Sequence, residues 1–260
     1  MIDSADALIA AAEAAADVAG AVVRPFFRTG VPTDTKADRS PVTIADRTAE
    51  QAMRAVLAER FPEHGVLGEE FGLDRPEAPL RWVLDPIDGT RAFITGRPTF
   101  GTLIALFDGD RPILGVIDQP VTGERWIGVA GQPTRFRGVL GGRAGCRPCP
   151  SLADAELSCT SPEMLGADTP RWERLRARVR RNYWGGDCYA YGLLALGQID
   201  IVAELDMKVW DWGALVPVVE GAGGCVVDWS GAPLRPDGDG RVLAVGDKTL
   251  LPAILRELND

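Results

Sequence analysis

The 260-residue chain, 46% hydrophobic and 25% charged, has the composition of an ordinary globular protein and is long enough for one large domain or two smaller ones. Its formal charge of -9 excludes a sequence-independent grip on nucleic acid or on an anionic membrane, since both need a basic field. A protein of this charge that handles phosphate must supply positive charge locally, and bound metal ions are the obvious source.

At the N-terminus, Asp3, Asp6, Glu13 and Asp17 interrupt the Ala-rich run, so it lacks the basic and apolar regions of a secretory leader. No later stretch has the length and apolarity of a membrane span, and a soluble, cytoplasmic protein is expected. Ser4 is placed to cap a helix from Asp6 toward Val23 that Pro25 ends, with Phe26 and Phe27 packing that end down. Residues 30–40 are polar and turn-rich and contain Lys36. Thr43 opens a second helix in which Ala49, Met53, Val56 and Leu57 recur at helical spacing. Asp46, three residues into it, suits a capping box as well as it suits chemistry.

The only histidine, His64, lies in Phe61-Pro62-Glu63-His64-Gly65, which reads as a surface turn. One histidine leaves no room for a metalloprotease motif, and a Ser-His-Asp triad would have to use it. Gly65-Val66-Leu67-Gly68 is a short apolar strand that ends in Glu69 and Glu70. Adjacent carboxylates repel and turn to solvent unless a cation draws them inward. A second apolar run, Trp82-Val83-Leu84, is predicted to stop at Asp85-Pro86, because proline offers no N–H to a ladder. Asp88, Gly89 and Thr90 follow. As a turn, Asp-Pro-Ile-Asp-Gly-Thr is made of ordinary turn residues. As a site, its two acids flank a rigid hinge at a strand end, where a hard cation binds, Gly89 lets the backbone approach a ligand closely, and the free N–H groups of a short helix from Thr90 onward suit an anion.

Beyond this loop, Thr102 to Phe107, Ile113 to Ile117 and Arg125 to Ala130 read as a β-meander, so the first half should be helices on a largely antiparallel sheet. Residues 133–150 are rich in Gly, Pro and Arg and mark a boundary between an N-terminal α+β domain, 1–138, and a C-terminal α/β domain, 139–260. The second half alternates: a strand at Glu156 to Thr160, a helix near Arg171 to Arg181 with a solvated basic face, a helix opening at Gly186-Asp187, and a strand ending at Glu204. An apolar helix after Trp210-Asp211-Trp212 and strands at Cys225 and Val242 complete it. Five cysteines do not form a disulfide framework, and Cys146 and Cys149, though spaced CxxC, lack the partners for a zinc site and are expected in a loop.

Acids therefore stand at strand ends (Glu69, Asp85, Glu204), in a loop (Asp88) and at helix starts (Asp46, Asp211). Ligands of α/β proteins gather at such points. Gly68-Glu69-Glu70, Asp85-Pro86-Ile87-Asp88-Gly89-Thr90 and Trp210-Asp211 resemble, in order and spacing, the signature motifs of the inositol monophosphatase superfamily of Mg²⁺-dependent, lithium-sensitive phosphatases. Within it, residues 90–96, Gly185-Gly186-Asp187-Cys188-Tyr189, and Ile201 to Glu204 followed by Lys208 look most like the bacterial histidinol-phosphate phosphatases of histidine biosynthesis.

The resemblance implies a layered αβαβα sandwich, usually dimeric, that hydrolyses phosphate monoesters with two or three Mg²⁺ ions. Glu69, Asp85 and the Ile87 carbonyl would hold one metal, and Asp85, Asp88 and Asp211 a second, with Glu70 supporting the cluster. Thr90 and Asp46 would orient and deprotonate the attacking water, the N–H groups of Gly89 and Thr90 would hold the phosphate, and Asp187 and Glu204 would meet the leaving alcohol. Two carboxylates there suit a cationic alcohol such as histidinol, whereas Glu204 alone equally suits the hydroxyls of inositol, and Asp187 also reads as a helix N-terminal acid. Other sugar phosphates, and a regulatory binding protein of the same family, are the alternatives. Lys36, Arg91 and Lys208 receive no assigned role.

Overall fold

Helix α1 (Ala5–Val23) begins where the sequence caps it: Ser4 Oγ accepts the Ala7 N–H at 3.2 Å. Its buried face is mostly alanine, which lets α1 lie close against α2 (Ile44–Arg60). Phe27 packs on Phe93 and Phe100. The computed structural model describes residues 4–35 and 41–260, and Lys36 lies outside them. A small hairpin, β1 (Thr33–Thr35) and β2 (Pro41–Thr43), leads into α2.

The next strands are β3 (Gly65–Gly68), β4 (Gly72–Asp74), β5 (Leu80–Asp88), β6 (Gly101–Asp108), β7 (Arg111–Gln119), β8 (Glu124–Val129) and β9 (Arg135–Arg137), with the short helix α3 (Thr90–Ile94) after β5. They form one seven-stranded sheet, ordered β4-β3-β5-β6-β7-β8-β9, antiparallel apart from the β3·β5 pair. The second sheet, ordered β11-β10-β12-β14-β13, comprises β10 (Glu156–Cys159), β11 (Arg181–Trp184), β12 (Ile201–Glu204), β13 (Cys225–Val227) and β14 (Val242–Val245). Its helices are α4 (Thr169–Arg176), α5 (Asp187–Leu194), α6 (Val209–Trp212), α7 (Leu215–Gly221) and α8 (Leu251–Asn259).

The alternation of side chains along each strand separates three cores. Trp82, Leu84, Ile104, Leu106 and Val116 pack on α1 and α2. Their neighbours Val83, Leu103, Ala105, Phe107 and Ile117 face a middle layer of α5, α6 and α7, which Val202, Val242 and Ala244 of the second sheet cover from the other side. Ile201, Ala203, Leu243 and Val245 face α4 and α8. The result is the expected αβαβα sandwich.

Close contact at the middle layer is set by two paired glycines. Gly115 and Gly128 stand opposite each other on β7 and β8. A Cβ at Gly115 would meet the Ala214 carbonyl oxygen at 2.1 Å, and one at Gly128 the Pro217 backbone at 2.3 Å. The backbone leading into and through α7 thus rests directly on the sheet, which fixes the height of α6 above the strand ends.

Three sequence expectations are corrected. The helix near residue 171 ends at Arg176, and Arg181–Trp184 is an edge strand parallel to β10. Its basic start is no continuing solvated helix face, because the Arg181 Nε donates to Glu156 at 3.0 Å across the pair. His64 is buried rather than in a surface turn, stacked on Phe61 with ring centroids 4.7 Å apart and close to Trp82. Finally, β5 does not stop at Asp85-Pro86 but runs through to Asp88. Cys146 and Cys149 do lie in irregular chain, and the cysteines are free among the described residues. Among those residues no helix is long and apolar enough to cross a membrane.

Because the contact at Gly128 is with backbone, which has no rotamer to escape into, Gly128→Ala is expected to cost about 1–3 kcal/mol, read as a lower urea midpoint with an unchanged slope.

Candidate active site

The passage of β5 through proline makes the site. Asp85 pairs with Leu103 and Asp88 with Gly101, so three residues of β5 span two of β6. In a regular strand, residues three apart point to opposite faces. The extra residue is a β-bulge, and it turns Asp85 and Asp88 to the same side, the side where Leu103 faces the middle layer. Pro86 and Ile87 have no ladder partner on β6, so the missing proline N–H costs nothing. Thr102 Oγ donates to the Pro86 carbonyl at 2.8 Å and the Ile87 N–H to Asp85 Oδ1 at 3.0 Å, which holds the kink.

Asp211 arrives from above on α6. Its Oδ2 accepts the Lys208 N–H at 2.6 Å, fixing the carboxylate at the helix start. Asp85, Asp88 and Asp211 thereby present ligand oxygens all within 4.8 Å of one another. Glu69 follows β3: its N–H donates to the Leu84 carbonyl at 3.2 Å, extending the parallel pairing so that it emerges beside Asp85.

Asp46 is both a capping-box acid and a member of the site. Its Oδ2 accepts the Thr43 N–H at 2.8 Å and the Thr43 hydroxyl at 2.7 Å, while Glu70 and Asp85 lie within its electrostatic reach. The Asp46–Thr90 pairing implied by the resemblance is not made here, since Thr90 Oγ donates instead to the Ile87 carbonyl at 3.2 Å. Gly89, at φ 82, precedes α3 and needs its glycine: a Cβ there would lie 2.7 Å from Asp187 Cγ.

Asp187 therefore leans directly over the Asp88-Gly89 loop. Its own backbone is left-handed, φ 46, at a cost of about 1 kcal/mol for a residue with a side chain. A terminal helix acid has no need of that conformation. Glu204 is buried at the end of β12 and accepts the Thr160 N–H at 2.8 Å and the Tyr191 hydroxyl at 3.0 Å. Asp88, Asp187, Glu204, Asp206 and Asp211 make up half the lining of a small cleft of about 90 Å³ between the sheets. Arg91 is exposed and reaches Glu163 at 3.5 Å; Lys208 contributes its backbone N–H to Asp211.

The partners of the three central acids are backbone groups. The hydrogen bonds to Asp85, Asp88 and Asp211 come from the backbone N–H groups of Ile87, Cys188 and Lys208, and among the described residues no lysine or arginine forms an ion pair with them. Burial, reinforced by Glu69, Asp88 and Asp211, pushes Asp85 well above the usual carboxylate range. Burial and then Asp187 and Asp211 do the same to Asp88. Burial raises Asp211 to about 7, Asp187 to about 7 with help from Glu204, and Asp46 to about 6. Hard oxygen donors that converge within 4.8 Å of one another fit a divalent cation of the Mg²⁺ type.

Two contributors are not legible in the motifs. The Cys188 N–H, at the start of α5, donates to Asp88 Oδ2 at 2.6 Å and so ties the middle layer to the β5 bulge. Glu50 of α2 is completely buried and binds the backbone of the Glu69-Glu70 turn. The signal for Glu50 is present in the sequence: it lies on the same helical stripe as Met53 and Leu57, where a charge is out of place.

Fold and acid cluster together fit the class of metal-dependent phosphate-ester hydrolases, and comparison with known proteins places the chain among them. Residues 4–260 match the model of the inositol monophosphatase family. The chain is 47% identical over 229 residues to the chloroplastic bifunctional phosphatase IMPL2 of Arabidopsis thaliana, aligning 87% of itself and spanning 65% of that protein's length. It is 36% identical over 240 residues to the histidinol-phosphatase of Chlorobaculum parvum, with 88% of each chain covered. Among solved structures, an inositol monophosphatase from Zymomonas mobilis superposes with a TM-score of 0.90 at 48% identity, over 99% of this chain and 100% of the other. The chain belongs to the inositol monophosphatase family and is a phosphoric monoester hydrolase.

The raised acids set a pH dependence. Metal-free folded protein keeps protons on Asp46, Asp187 and Asp211 up to about 6 to 7, whereas in the unfolded chain they leave near the ordinary value of 3.8. The folded state binds more protons across this window, so its stability falls as pH rises. In chelator, Tm is expected to fall from pH 5 to pH 8, and added Mg²⁺ to raise Tm more at pH 8 than at pH 5, where protons compete. A metal-free Tm that rises over this range contradicts the assignment.

Proposed function

We propose that the chain hydrolyses L-histidinol phosphate to L-histidinol and phosphate, by direct attack of water and without a covalent enzyme intermediate. The observation that carries this reading is the pair Asp187 and Glu204 lining the cleft beside Asp88. Two carboxylates around a leaving alcohol suit a cationic one, whose ammonium or imidazolium donates charge-assisted hydrogen bonds. The histidinol-phosphatase name of the Chlorobaculum relative lends support.

Glu69, Asp85 and the Ile87 carbonyl would hold one Mg²⁺, and Asp85, Asp88 and Asp211 another, in a set of two or three ions. Bound Mg²⁺ supplies positive charge that makes water more acidic and offsets the charge of the phosphoryl group. Asp46 takes the proton of the attacking water, and its raised pKa of about 6 puts it in a range useful near neutral pH. Thr90 orients that water, which needs its hydroxyl to turn from Ile87, and Glu70 keeps the acid cluster together. The N–H groups of Gly89 and Thr90 donate to the phosphate oxygens. The enzyme is proposed to act as a cytoplasmic homodimer, its first part, 1–138, supplying most metal ligands and its second, 139–260, supplying Asp211 and the alcohol side of the cleft.

A second reading, inositol-1-phosphate as substrate, is favoured by the 48% identity to the Zymomonas enzyme. Glu204 would then accept hydrogen bonds from ring hydroxyls.

Phosphate release from L-histidinol phosphate, inositol-1-phosphate and fructose-1,6-bisphosphate with Mg²⁺ separates these readings. Histidinol phosphate is expected to have the highest kcat/KM. Asp88→Asn should lower it more than about a hundredfold, because even outer partners of metal ligands are worth about 10–100-fold. Losing a charged hydrogen bond of roughly 1.5–3 kcal/mol, Asp187→Asn should raise KM for histidinol phosphate at least about tenfold while sparing inositol phosphate. A preference for inositol phosphate would remove Asp187 from the alcohol site.

A further inference from the structure

Glu50 is a carboxylate with no exposed surface, one helical turn beyond Asp46 on α2. Burying such a charge is costly unless all its oxygens are engaged. Here they are: Oε2 accepts the Glu70 N–H at 2.7 Å, while Oε1 accepts the Phe71 N–H at 3.3 Å and the Arg54 Nε at 2.8 Å. Arg54, one turn further on, donates to the Gly72 carbonyl at 2.5 Å and approaches Asp74 at 3.4 Å. The pair grips the backbone of the turn between β3 and β4 from inside.

The grip requires the glycine before the two acids. A Cβ on Gly68 would lie 1.9 Å from Glu50 Oε1. The bare backbone at Gly68 thus makes room for the carboxylate that binds the next residues, and the first position of Gly68-Glu69-Glu70 is explained by Glu50 rather than by a turn conformation. Gly68 is an ordinary strand residue, with no positive φ.

We propose that Glu50, backed by Arg54, is a positioning residue for metal binding: it fixes the Glu69-Glu70 turn so that Glu69 is presented to the Asp85 cluster at a set distance from Asp46. Asp46, Glu50 and Arg54 recur every four residues and share one face of α2. One rigid helix therefore carries both the acid that takes a proton and the clamp that sets a metal ligand. A fold-stabilising ion pair elsewhere would leave metal affinity alone. This one acts on it, because its hydrogen bonds end on the ligand-bearing turn. The inference rests on the metal-dependent phosphatase reading, and its test separates the two.

The test is isothermal titration of wild type and Glu50→Gln with Mg²⁺, alongside phosphate release from the three monoesters and a melting curve in chelator. The substituted amide keeps the shape of the carboxylate but turns an NH₂ group toward the Phe71 N–H and Arg54. The expected result is an Mg²⁺ dissociation constant raised about tenfold or more, the scale of outer partners of metal ligands, with kcat at saturating Mg²⁺ within about threefold of wild type. A lower Tm with unchanged Mg²⁺ affinity means a structural role alone and overturns the proposal. Should Glu50→Gln fail to fold, Arg54→Gln, which removes the charged partner of Glu50 Oε1 and leaves that oxygen only the Phe71 N–H, should weaken Mg²⁺ binding in the same direction, and unchanged affinity overturns it. A Glu50-dependent affinity in a protein inert to all three monoesters would leave the positioning role standing and remove the substrate reading. Turnover with an affinity indifferent to Glu50 does the reverse, and a wild type that does not bind Mg²⁺ overturns both.

Discussion

Repulsion among buried carboxylates is the constraint on which the rest of this structure depends. Two unit charges about 4 Å apart repel by about 4 kcal/mol at an effective dielectric of about 20. Asp85, Asp88 and Asp211 put ligand oxygens within 4.8 Å of one another, with Glu69, Asp187 and Glu204 near enough to raise their pKa values further. No domain collects such charge unless something outweighs it. Without metal the outweighing agent is the proton; a bound divalent cation would take its place and turn the repulsion into binding energy.

The special features of the scaffold hold these acids still. A bulge aligns Asp85 with Asp88, a short helix start fixes Asp211, and the first N–H of α5 reaches across to Asp88. The paired glycines Gly115 and Gly128 let α7 rest on the sheet, so the middle layer carrying Asp187 and Asp211 is placed by backbone contact rather than by compressible side chains. The acid after β3 and those of β5, β12, α5 and α6 then come within electrostatic reach of one another, although Glu69 and Asp211 stand more than half the chain apart.

Much of this is legible in the sequence because it is local. The acids at strand ends, the helix caps at Ser4 and Thr43 and the meander after Gly101 all follow from spacing and turn chemistry, and the order of motifs carries the family. What escapes depends on contacts distant in sequence. The helix near Arg171 is read as running on to Arg181, the first residue of β11, because the pairing of that residue with Glu156 on β10 does not show in local spacing. His64 reads as part of a surface turn, yet Phe61 and Trp82 enclose it. The strand through Pro86 needs a partner with which to be out of register. Glu50 is visible as a charge on an apolar stripe, but the turn it holds lies 20 residues away.

The most direct measurement of the central claim is a crystal of the protein soaked in Mn²⁺, with anomalous difference maps collected at the manganese edge. The account predicts strong peaks at coordination distance, about 2.0–2.6 Å for hard oxygen ligands, between Glu69, Asp85 and the Ile87 carbonyl and between Asp85, Asp88 and Asp211. Peaks confined to other surfaces, or none in a crystal whose acids are arranged as described, would contradict it.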